Sequence, residues 1–71
     1  MLVRLQNADV AVDIAQFALF SVSGTDGWYL SGLLLSSQTW VTVATYTNEK
    51  EAIADLDLLW RTSEQLHREH I

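Results

Sequence analysis

The residues best equipped for chemistry sit at the end of the chain. His67 and His70 are three apart, and Glu64 lies three residues before His67. On a helix, side chains three and four apart share a side, so two imidazoles could meet one metal ion. A metal centre ordinarily recruits a further ligand from a separate element, and the carboxylates elsewhere are only Asp9, Asp13 and Asp26. The simpler account is a solvated helix end, so no metal and no cofactor are expected. Asp55 and Asp57 are two apart and diverge on a helix, which removes them as a local acid/base pair. Ser21, Ser23, Ser36 and Ser37 stand in no Gly-x-Ser-x-Gly elbow and read as strand-edge and turn residues. Ser23-Gly-Thr-Asp-Gly27 is glycine-rich but matches no phosphate-loop spacing and opens no helix. The residue pattern therefore predicts no catalysis.

The elements that would position these residues follow from periodicity. Residues 1–6 read as a first strand, and Asn7-Ala8-Asp9 as a turn, because Asn and Asp bond their own backbone. Val10, Val12 and Ile14 alternate as a second strand. Phe17 to Val22 make a third, after a kink near Ala15-Gln16. Gly24-Thr25-Asp26-Gly27 signals a hairpin in which Asp-Gly supplies positive φ. A fourth strand runs from Trp28 to about Leu35, Ser36-Ser37-Gln38 turns, and Thr39 to Tyr46 is a fifth strand rich in Val, Thr and aromatics. The period then changes. Ala52, Ile53, Leu56, Leu59, Trp60, Leu66 and Ile71 share one stripe of a helix over about residues 49–68. Asn48 is placed as its cap, with Glu51 at capping-box spacing. The expected fold is α+β: an antiparallel meander of about five strands with one C-terminal helix on one face, all in a single domain over 1–71.

The strand end and helix start, Val43-Ala44-Thr45-Tyr46-Thr47-Asn48-Glu49-Lys50-Glu51-Ala52, followed by Leu56 and Leu59, resemble a group of small uncharacterised bacterial proteins. Those share a few antiparallel strands, a glycine hairpin matched here by Asp26-Gly27 and Tyr29, and a capped amphipathic helix. Val43 stands where the group usually has leucine. The resemblance covers about the last 45 residues and implies the fold alone, with no activity. A more distant similarity is to the end of a pleckstrin-homology-like barrel, which is also closed by a helix.

Composition narrows the partners. Nine acids against four bases give a net charge of −5, and six of the acids lie from Glu49 onward. Such a chain has no footprint for nucleic acid or an anionic membrane surface. No apolar run approaches the ~20 residues of a membrane span, and the N-terminus shows no signal-peptide pattern. The absence of cysteine fits a reducing, cytoplasmic setting. It also removes disulfides as a means of stabilising a chain of 8.0 kDa, whose fold should bury only about 60% of its surface. Oligomerisation is the remaining supplement, and the apolar residues on both faces of the fourth strand point the same way. The expectation is a non-catalytic interaction or structural module, a homo-oligomer and most simply a dimer. The alternatives are a ligand or enzyme site lined by aromatics between subunits, and an accessory subunit docking a different protein. Trp60 reads as core. In the fifth strand the valines are assigned to the helix and the aromatics to the second layer. The interface candidates are then Trp28, Trp40, Tyr46 and Leu58, the last of which lies opposite the helix stripe.

Overall fold

A computed structural model describes the backbone of residues 1–69 and the side chains of residues 1–63. Five strands precede one helix: β1 Leu2–Arg4, β2 Ala11–Asp13, β3 Phe17–Gly24, β4 Trp28–Leu34, β5 Trp40–Tyr46 and α1 Glu49–Glu69. The strands divide between two antiparallel sheets, a β1-β2 hairpin and a three-stranded β3-β4-β5 sheet. The expected single meander is therefore broken between β2 and β3. The break is a 3₁₀ turn at Ile14–Gln16, where the Asp13 carboxylate accepts the Ala15 N–H at 3.2 Å. These residues would have continued the ladder, and their turn carries the chain away from the first hairpin.

The helix starts where its cap dictates. Asn48 Oδ1 accepts the Glu51 N–H at 2.9 Å, which satisfies one of the donors that a helix start leaves unpaired. The helix lies against β3, β4 and β5. Leu30, Phe20, Ala44, Ala52 and Leu59 are buried between helix and sheet, and Val3, Leu5, Val12 and Ile14 of the hairpin complete the same core.

Two bulges decide which side chains face that core. In β4–β5, Leu30 pairs with Ala44 and Ser31 with Thr42, which leaves Val43 as an extra residue. In β3–β4, Phe17 pairs with Leu34 and Leu19 with Leu33, which leaves Ala18 extra. An extra residue reverses the side-chain alternation beyond it. Trp40 and Val41 therefore keep the sides assigned to them, Trp40 outward and Val41 inward. Ala44 and Tyr46, past the bulge, are switched to the helix side and buried. The grouping of Trp40, Ala44 and Tyr46 on one face is corrected accordingly.

The glycines act as floors for aromatic rings. A Cβ on Gly32 would lie 2.6 Å from Phe17 Cε1 and 3.1 Å from Phe20 Cε1, under two rings whose centroids are 5.0 Å apart. A Cβ on Gly24 would lie 2.6 Å from the Trp28 ring. No glycine takes positive φ, contrary to the expectation for Asp26-Gly27; the left-handed residue is Gln38, at φ 54° in the β4–β5 turn. The β3–β4 connection is a three-residue loop closed by the Gly24–Trp28 pair. It is not the two-residue turn that demands left-handed geometry.

Candidate functional site

The most concentrated polar chemistry is buried. Asp55 is 1% exposed. Its Oδ1 accepts the Gln6 N–H at 3.2 Å and Asn7 Nδ2 at 3.3 Å; its Oδ2 accepts the Asn7 N–H at 3.0 Å and the Tyr46 hydroxyl at 2.8 Å. One carboxylate thus joins the helix, the end of β5 and the turn of the first hairpin. Burial pushes the Tyr46 hydroxyl well above the usual tyrosine range, and the bond to Asp55, the Asp55 charge and the Glu51 charge add to the effect. A carboxylate surrounded by its own chain's donors offers no lone pair to a substrate. Among the described residues every buried side-chain N or O atom has a partner, so the cluster is a joint.

Sequence reasoning treated Asp55 only as half of a failed acid/base pair. A signal was present: Asp55 lies three residues after Ala52 and four before Leu59, at the edge of the apolar stripe. A charge in that position needs partners, and here two backbone amides, one side-chain amide and one hydroxyl supply them.

The open surfaces are apolar. Residues paired across the sheet share a face, so the side away from the helix carries three rows: Leu19–Leu33–Trp40, Ser21–Ser31–Thr42 and Ser23–Tyr29–Thr45. Only the first row is wholly apolar, and no residue in the three rows is charged. The helix stripe meanwhile overreaches the sheet. Ile53 is 48% and Trp60 55% exposed, although the stripe suggested core for both. The Trp60 Nε1–H donates to the Phe20 carbonyl at 3.3 Å, which places this overhang along β3. A shallow groove of about 300 Å³ runs there, lined by Ala18, Leu19, Phe20, Asp57, Trp60 and Arg61.

Of the four predicted interface residues, Trp40 alone is open, at 48%. Tyr46 is buried on Asp55. Trp28 and Leu58 are half-buried against the core: Trp28 faces the helix side with Leu30, and Leu58 lies on the flank of α1 where Asp55 meets the hairpin. Trp60 and Ile53 were missed as surface residues because hydrophobicity alone does not say how far a sheet extends beneath a helix, and Leu19 because the two faces of β3 were not assigned. The side chains of Glu64, His67 and His70 lie outside the described residues. Among the described residues no group of three His, Asp or Glu could hold a metal ion, and no helix is long and apolar enough to cross a membrane. Comparison of the chain with protein-family models, with curated proteins and with solved structures finds no match.

Proposed function

We propose that the protein is a non-catalytic interaction module that works as a homo-oligomer, with a dimer as the basic unit. The observation that carries this reading is that Trp60 and Ile53, on the side of the helix that overhangs β3, leave about half of their surface in solvent. Tryptophan is among the residues most enriched at the buried centres of interfaces. A catalytic reading has no support in the polar groups, since the one buried carboxylate is saturated by its own chain. Light scattering coupled to size exclusion tests the proposal. A mass near two or more times 8.0 kDa at tens of micromolar is the expected result. A monomer that captures a single protein from its native host would replace the homo-oligomer with an accessory-subunit role.

A further inference from the structure

The outer face and the β3 side both expose apolar groups, but they differ in what they lack. The outer face is one apolar row beside two rows of hydroxyl-bearing residues. The β3 side lacks something structural. α1 carries Ile53 and Trp60, both about half exposed, along one line, with Leu56 beside them packed on the core, and beyond β3 no further strand extends the sheet.

The hydrogen-bond pattern fixes which groups of β3 are free. The Leu34 N–H donates to Thr39 O, and the Leu35 N–H donates to Gln16 O. Even-numbered residues of β4 therefore bond β5 and odd-numbered ones bond β3. The β3 residues opposite the odd set, Leu19, Ser21 and Ser23, spend their backbone groups on β4. Those of Phe20 and Val22 point out of the sheet. Trp60 uses one lone pair of the Phe20 carbonyl from the helix side, and a carbonyl oxygen has two. β3 itself, Phe-Ala-Leu-Phe-Ser-Val-Ser-Gly, has eight residues with no charge and no proline. Natural edge strands usually carry such residues to prevent pairing.

We propose that β3 pairs antiparallel with β3 of a second copy about a twofold axis at Ser21, giving one six-stranded sheet with both helices on the same side. This inference rests on the self-association proposed above. At that axis Phe20 stands opposite Val22 of the partner copy, and the two pairs exchange their outward N–H and C=O groups. An aromatic residue opposite a β-branched one is a favourable cross-strand pair, whereas an axis at Phe20 would set ring against ring beneath both Trp60 side chains. The line Ile53–Leu56–Trp60 then meets the same line of the second helix. Lys50, Asp57 and Arg61 beside it carry both signs, so two chains of net charge −5 do not meet through like charges alone. An eight-residue edge is about 26 Å long. With a helix layer ~10 Å above it, the contact covers roughly 500 Å² per copy, near the lower limit for specific association. A micromolar, concentration-dependent dimer is expected.

The chain has no cysteine, so a single introduced thiol reports one contact. Ser21→Cys should give a covalent dimer under mild oxidation, because a residue on the axis faces itself. Thr42→Cys, on the same face but two strands away, should give at least tenfold less. Ser21→Lys sets two ammonium groups against each other and should weaken the wild-type dimer at least tenfold by light scattering. A wild-type monomer at 100 µM would overturn both the module reading and this inference. A wild-type dimer that Ser21→Lys leaves intact, with no preferential Ser21→Cys cross-link, would overturn the inference alone.

Discussion

Asp55 is the residue on which most of the molecule converges. Asp55→Ala would leave the buried Tyr46 hydroxyl without its acceptor and remove the part-buried bonds from Gln6 and Asn7. One unsatisfied buried donor costs about 1–3 kcal/mol and each lost bond to a charged group about 1.5–3 kcal/mol, so a loss of roughly 3 kcal/mol is expected. In a domain this small that is a large share of the total stability, and urea unfolding measures it. Tyr46 gives the site a pH signature. Its folded pKa is raised by burial first, then by the hydrogen bond and charge of Asp55 and the charge of Glu51. The stabilisation is fully present below the ordinary tyrosine value of about 10. It is lost as pH rises above that, because the unfolded chain ionises while the folded one does not. Urea midpoints between pH 8 and 11.5 should fall with a slope of up to ~1.4 kcal/mol per pH unit from this group. Tyr46→Phe should be less stable at pH 8 but should lose that part of the slope. The carboxylate's burial was legible from its place in the helix stripe, but its partners were not. Gln6 and Asn7 lie 49 and 48 residues away in the chain, and no local pattern connects them.

At the scale of elements, what depends on neighbours in sequence was readable and what depends on pairing was not. The helix and its cap are local. Asn48→Ala should cost ~1 kcal/mol, seen as a shifted urea midpoint with an unchanged slope. The alternation of Val, Thr and aromatic residues marked β5 correctly. Which of its side chains face inward depended on an extra residue at Val43 that exists only in relation to β4. The same holds for Ala18 in β3. At Gly32 in β4, the rings of Phe17 and Phe20 occupy the space a side chain would need. Gly32→Ala should cost about 1–3 kcal/mol through overpacking. Thermal unfolding monitored by circular dichroism would detect it, and a smaller ring at residue 17 should recover part of the loss.

For the whole molecule, the division into two sheets matters most. The β1–β2 hairpin shares no ladder with the larger sheet and is held by its share of the core and by Asp55. Hydrogen exchange on Asp55→Asn should therefore show lost protection concentrated in residues 2–13, with the amides of β4 less affected. Trp40 lies on the outer face, away from the β3 edge, so Trp40→Glu should leave the oligomer mass unchanged by light scattering. The joint at Asp55 also has a consequence for the order of events during synthesis. The hairpin leaves the ribosome well before the carboxylate that secures it, which lies 48 residues beyond Asn7. Closing so long a loop carries an entropic cost that early contacts do not offset. A nascent chain halted before Asp55 lacks the carboxylate that docks its hairpin, so the hairpin should acquire protease resistance only once Asp55 has emerged.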